Sequence, residues 1–309
     1  MQARDPPIQL DLLPLEDLGF ECLFRVELGM QCIDSSCLWA EGPVYLASLQ
    51  SLVWSDIPHN RMLCWHLPSQ TTSVFRSPSN FANGNTLDAA GRLLTCEHGS
   101  RRLVRQEIGQ PVEVLASSWN GMRLNSPNDV VVARDGGVWF TDPTYGIDSD
   151  YEGHRANSDI GACHVYRIDP QSGRCEAMIT DAVRPNGIAF NPAQSLLYIS
   201  DTGGTHVPGG PRHIRVFSVD GAKTLSGGRI FAECAHGYFD GFRVDAMGRI
   251  WTSAGDGVHC YSPEGACLGK IRIAQAVANL EFGGAGRSDL FVCATHAVYR
   301  ICMVQAWES

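Results

Sequence analysis

The sequence predicts an all-β protein, a six-bladed β-propeller with four-stranded antiparallel blades around a central channel. Three observations predict it: short apolar runs in place of helical periodicity, dense turn punctuation, and an internal repeat that stays in register along the chain.

The apolar runs come first. Val130-Val131-Val132, Val138-Trp139-Phe140, Leu196-Leu197-Tyr198-Ile199 and Leu290-Phe291-Val292 are each bounded by polar and turn residues. Runs of that length between turn signals read as strands. The 32 glycines and 16 prolines supply the punctuation. One tolerable helical pattern, Leu10 to Phe20, lies near the N-terminus.

The repeat unit is a polar residue, an apolar strand, a turn with Gly, a second apolar strand and a polar end. Asn83–Glu97, Asn128–Asp142 and Asp240–Ala254 share it without gaps; Glu41–Asp56 and Asn186–Asp201 carry one extra turn residue, and Asn279–Thr295 is a looser copy. The starts at 41, 83, 128, 186, 240 and 279 are separated by 42, 45, 58, 54 and 39 residues. A period of that size with several strands per unit is the mark of propeller blades, each of which buries its faces against its neighbours. A strand near Glu21 to Leu28 is expected to pair with the chain around Ala297 to Met303 and close the ring. The whole chain of 309 residues then reads as a single propeller domain, with an N-terminal extension of about residues 1–20. The long step after Asn128 contains a polar stretch, 143–160, expected to form a lid over the channel mouth.

Composition narrows the function. A net charge of −9 lacks the basic footprint of a nucleic-acid binder. No signal peptide or spanning apolar segment is visible, so no membrane partner is expected and the location is read as cytoplasmic. The 12 cysteines are scattered without a CxxC pair, as reduced, mostly buried thiols would be. There is no GxSxG elbow and no phosphate-binding glycine loop.

The first residue of each unit sits at the same end of an innermost strand, giving Glu41, Asn83, Asn128, Asn186, Asp240 and Asn279 around the axis. A ring of carboxylates and amides is a hard-oxygen donor set, suited to one divalent cation, Ca²⁺ first and Mg²⁺ or Mn²⁺ as alternatives. A single such residue before a strand is as readily a turn or bulge residue, and Asn83 and Asn279 are read that way.

The strings Ala40-Glu41-Gly42-Pro43, Asn125-Ser126-Pro127-Asn128-Asp129, Arg184-Pro185-Asn186-Gly187 and Asp240-Gly241-Phe242 resemble the SMP-30/gluconolactonase/luciferin-regenerating family. Ala82-Asn83-Gly84-Asn85, Cys96-Glu97-His98-Gly99 and Phe140-Thr141-Asp142-Pro143-Thr144-Tyr145-Gly146 are similar to its bacterial and fungal gluconolactonase branch. The resemblance implies a lactonase that opens sugar lactones, with metal ligands Glu41, Asn186 and Asp240 and with Asn128 as substrate contact or fourth ligand; Zn²⁺ joins the cations to be tested. It also implies Asp240 as the base for water; because a cation lowers the pKa of a carboxylate it binds, Asp142, Glu97 and His98 are the alternatives. Some members bind the sugar through an Arg two residues before the Asn; Ser126 stands here. Asn128, Glu97, His98, Tyr145 and Arg123 are the expected substrate contacts. Two other functions fit the same pattern, a phosphotriesterase or arylesterase on the same metal and a non-catalytic binding platform. A monomer or homodimer is expected.

Overall fold

The computed structural model describes residues 9–12, 23–25, 28–221 and 223–304. Six antiparallel sheets follow one another along the chain, each running from the axis outwards. Their innermost strands are Ala40–Leu46, Ala82–Leu87, Val130–Val132, Pro185–Phe190, Phe242–Val244 and Val277–Gly283, in blades 1 to 6. Every unit start read from the sequence therefore lies in an innermost strand or within two residues of one.

The apolar residues form six buried clusters, and each occupies one seam between adjacent blades. Phe140 and Tyr166 of blade 3 meet Leu94 and Leu103 of blade 2 in one, whereas Trp139 and Val165 face Ile188 and Leu197 of blade 4 in another. Successive strand residues point to opposite faces, so a blade with two seams needs apolar residues at every strand position. That requirement explains the unbroken runs, such as Val138-Trp139-Phe140, where a half-exposed sheet would alternate.

Closure of the ring differs in position from the expectation. Met30–Asp34, rather than residues 21–28, pairs with Ala297–Cys302 and completes blade 6. Of the predicted segment's described residues, Phe24 bridges to Met303, the Arg25 N–H donates to Cys302 O at 3.0 Å and Leu23 O accepts from the Val304 N–H, so this stretch continues the closing edge beyond Met30–Asp34. Gln9–Leu12, whose last three residues open the helical pattern expected over Leu10–Phe20, is instead a fifth strand on the outer edge of blade 5, paired to Gly269–Arg272. The edge groups of that blade offer hydrogen bonds that an amphipathic segment can use only as a strand. The remainder of the Leu10–Phe20 pattern lies outside the described residues. The cysteines among the described residues are all free, and no helix among them is long and apolar enough to cross a membrane.

Trp251 illustrates how much each seam contributes. It is fully buried, packs edge-on against Phe24 and Phe282, and donates its indole N–H to Asp245 Oδ2 at 2.9 Å. Trp251→Ala is expected to lower unfolding free energy by about 3–5 kcal/mol, read as a shifted urea midpoint at unchanged m-value.

Candidate functional site

The innermost strands do not run regularly past the axis. Register shifts interrupt their ladders between Glu41 and Val44, Ala82 and Asn85, Pro185 and Ile188, and Val277 and Asn279. A β-bulge bends its strand and re-aims a side chain, and here each bulge holds or borders a ring residue. The glycine that follows admits the neighbouring blade. Gly42 has φ +50°, and a Cβ there would lie 2.0 Å from the Asn83 carbonyl oxygen. The same close approach to a carbonyl oxygen joins Gly84 to Asn128 and Gly187 to Asp240, whereas Gly241 packs against the Asn279 side chain. Hydroxyls finish the joint: Ser55 donates to Asn83 O, Thr141 to Asn186 O and Ser200 to Asp240 O, each at 2.7 Å.

Five of the six ring residues, Glu41, Asn83, Asn128, Asn186 and Asp240, line one cavity of about 220 Å³. Asn279 is absent from its wall; it donates from Nδ2 to Glu41 Oε2 at 3.0 Å and accepts the Leu280 N–H, so it orients Glu41. Asn83, expected to be structural, is instead a wall residue. Trp39, Ile57 and Val277 give the cavity apolar sides. Tyr145, on a helical turn Tyr145–Asp148, lies within hydrogen-bond distance of Thr202 Oγ1 at 2.7 Å and Thr205 Oγ1 at 2.8 Å, and all three line the cavity. The Arg184 guanidinium sits over the Tyr145 ring, 4.9 Å from its centroid.

The cavity is acidic. Burial pushes the Glu41 carboxyl up to about 7, against hydrogen bonds from Gly42 N–H and Asn279 that favour its anion. Burial and then the nearby Glu41 charge hold Asp240 well above the usual carboxylate range. A third carboxylate, Glu152, enters from the 143–160 segment, and burial with Asp148 pushes it up to about 7. Nothing in the sequence marked Glu152, because its segment has no counterpart in the other blades against which to set a register.

Other expected contacts lie elsewhere. Glu97 is buried behind the wall, paired with Arg102 at 2.7 Å and Arg76 at 3.7 Å. A carboxylate that close to two guanidiniums is held away from the axis. Arg123 is exposed on the hairpin of Ser118–Trp119 and Met122–Arg123, donating to Ser100 O. His98 is fully buried one layer behind Asn83, with its ring nitrogens 3.1 Å from Asn83 Nδ2 and from Glu152 O. Burial lowers it to about 4, so it is neutral at physiological pH. Asp142 is fully buried and off the cavity, accepting the Asn125 N–H at 2.9 Å. Ser126 donates to Pro143 O and accepts the Gly146 N–H and so fixes the start of the 143–160 segment.

Among the described residues no three His, Cys, Asp or Glu side chains are grouped to hold a metal ion. A cation here would need amide oxygens as well, and the ring supplies them in Asn128 and Asn186. Two confined carboxylates with raised proton affinity are what a hard cation would relieve.

The family model for the SMP-30/gluconolactonase/LRE-like region matches residues 39–296. The chain belongs to that family. The gluconolactonase of Zymomonas mobilis is 29% identical to it over 308 residues, covering 91% of this chain and 83% of that protein. A solved gluconolactonase structure from Xanthomonas campestris is 32% identical, with TM-score 0.87 and 96% of each chain covered. Regucalcin of Agrobacterium tumefaciens, a calcium-binding protein, shares the fold at TM-score 0.72 and 18% identity, over 90% of this chain and 95% of that one. The match begins at the first ring residue's strand and ends after the sixth blade's second strand, so the family signal and the ring coincide.

Acids whose proton affinity rises on folding stabilise the fold while protonated and destabilise it once ionised. Chelator-treated protein should therefore lose thermal stability as pH rises from about 5 through 7, the window between the unfolded carboxylate range and the raised folded values. Glu41→Gln should flatten that fall in a pH series of melting curves; an equally steep fall in the variant would place the effect elsewhere.

Proposed function

We propose that this lactonase opens sugar lactones by hydrolysis, with one divalent cation, calcium first, held by Glu41, Asn186, Asp240 and Asn128. One observation carries the reading: two carboxylates and amides from different blades meet in a single cavity, and burial raises the proton affinity of both carboxylates. The family's lactonases, including those of Zymomonas mobilis and Xanthomonas campestris, support the substrate class. The donor set supports a hard cation, of which Mg²⁺, Mn²⁺ and Zn²⁺ are the alternatives to test.

Glu41, Asn186, Asp240 and Asn128 would hold the cation, which when bound would supply Lewis-acid polarisation of the lactone carbonyl. Asn279 and the Gly42 N–H hold the Glu41 carboxylate in place. Asp240 takes the proton of the attacking water. Of the four acids and bases considered for that role, it alone reaches the cavity, since Glu97, His98 and Asp142 are committed behind its wall. Asn128 and Tyr145 present fixed polar groups to the sugar hydroxyls, and the apolar sides limit bulk water.

Hydrolysis of D-glucono-δ-lactone, followed by proton release, tests this against paraoxon as the phosphotriester control. Glu41→Gln should lower kcat/KM for the lactone at least a hundredfold, about 2.7 kcal/mol of transition-state stabilisation, with its circular dichroism unchanged. Calcium should raise the melting temperature of wild-type protein and leave that of Glu41→Gln nearly unmoved. Full lactone activity in that variant, or after exhaustive chelation, would remove the cation from the reaction.

A further inference from the structure

Glu152 is the cavity's uncommitted acid. Its carboxylate has no hydrogen-bond or ionic partner among the described residues, although it shares the wall with Glu41 and Asp240. Two neighbouring polar groups are already engaged: Glu41 by Asn279, and the Tyr145 hydroxyl by Thr202 and Thr205. Charge balance separates Glu152 from the cation-holding pair. Glu41 and Asp240 together neutralise a divalent ion, which leaves the third carboxylate free to accept hydrogen bonds.

The backbone that carries Glu152 is fixed. Gly153 packs so closely on Gly146 that a Cβ would sit 2.1 Å from the Gly146 oxygen. The His154 and Ala156 N–H groups donate to Gly146 O and Ile147 O, both at 3.0 Å. The Glu152 carbonyl faces His98 Nδ1. A carbonyl can only accept, so Nδ1 carries the proton, and Nε2 of the neutral ring accepts from Asn83 Nδ2. Asn83 Oδ1 is left buried with no partner. One imidazole therefore ties the inserted segment to the ring residue of blade 2, and both of its partners line the cavity.

We propose that Glu152 is a specificity-determining residue that accepts hydrogen bonds from hydroxyl groups of the substrate, and that His98 is the positioning residue that locks Glu152 and Asn83 to one another. The proposal rests on the lactonase reading and names the part of the substrate that reading leaves open, a polyhydroxylated ring whose hydroxyls act as donors. An insertion present in one blade then selects the sugar, while the ring common to all blades serves the reacting carbonyl.

Steady-state kinetics of wild type, Glu152→Ala and His98→Phe with D-glucono-δ-lactone and its monodeoxy analogues test it, at saturating calcium. Loss of a charge-assisted hydrogen bond should raise KM of Glu152→Ala for the parent lactone between about tenfold and a hundredfold, with kcat changed less than about threefold. For at least one deoxy analogue, wild type and Glu152→Ala should share the same KM, because the hydroxyl concerned is gone. His98→Phe should show the same pattern, more weakly; Glu152→Ala alone carries the test if His98→Phe does not fold. A kcat fall of a hundredfold at unchanged KM, a KM rise common to the parent and every analogue, or a tenfold loss of calcium affinity in Glu152→Ala would each overturn the proposal. Calorimetric binding of glucitol, a neutral polyol, separates it from the reading beneath. Wild type that binds glucitol through Glu152 yet hydrolyses no aldonolactone sinks the lactonase reading alone, whereas glucitol binding indifferent to Glu152→Ala sinks this one.

Discussion

The backbone carbonyl at four of the six ring positions is where this structure is joined. Asn83, Asn128 and Asp240 each give that oxygen to an N–H or hydroxyl of the preceding blade, through Ser55, Gly84 and Gly187 with Ser200; Asn186 gives it to Thr141. A carbonyl buried at an inner strand end must be satisfied, and leaving it unpaired costs roughly 1–3 kcal/mol. Satisfying it from the next blade sets the angle and spacing between blades. At Asn83 and Asn186 the same residue sits in a bulge, which re-aims its side chain. Assembly of the ring and construction of the cavity are thus one geometric event.

Glycine makes the joint possible. At Gly42 the positive φ and the 2.0 Å approach to Asn83 O exclude any side chain. The pattern of ring residue followed by Gly, clear in Glu41-Gly42, Asn83-Gly84, Asn186-Gly187 and Asp240-Gly241, is therefore a packing requirement as much as a chemical one. Blade 3 breaks the pattern with Asp129. Its Oδ1 accepts the Val130 N–H and approaches Gly84, and burial raises its proton affinity. Arg243 supplies a balancing charge, bonding Glu281 at 2.9 Å and reaching Pro43 O across the axis. Of the acids that line the cavity, Glu41 thus has a guanidinium near it.

The candidate site was legible where residues repeat. Glu41, Asn128, Asn186 and Asp240 could be aligned with one another, and equivalent positions in equivalent blades meet at the axis. The same reasoning overreached one turn further along. Glu97 and His98 close the unit that begins at Asn83, and sequence spacing places them near the mouth. Whether a side chain there faces the channel or the seam depends on strand twist and on partners such as Arg102, which no spacing encodes. Arg123 was drawn in by proximity to Asn128 in sequence, yet it belongs to a hairpin that folds away to the surface.

The sequence by itself determined the number of blades, the inner strands and the ring of polar residues, because each follows from a local pattern repeated six times. Tertiary structure decided the rest. Which residues close the ring is decided at one edge, where Met30–Asp34 pairs with Ala297–Cys302 and Phe24 bridges to Met303. Which ring residues reach the cavity depends on how the bulges fall, so Asn83 turns inward and Asn279 turns to Glu41. Glu152 is the plainest case. It lies outside the repeat, and only the packing of its segment through Gly153 and His98 brings its carboxylate to the axis.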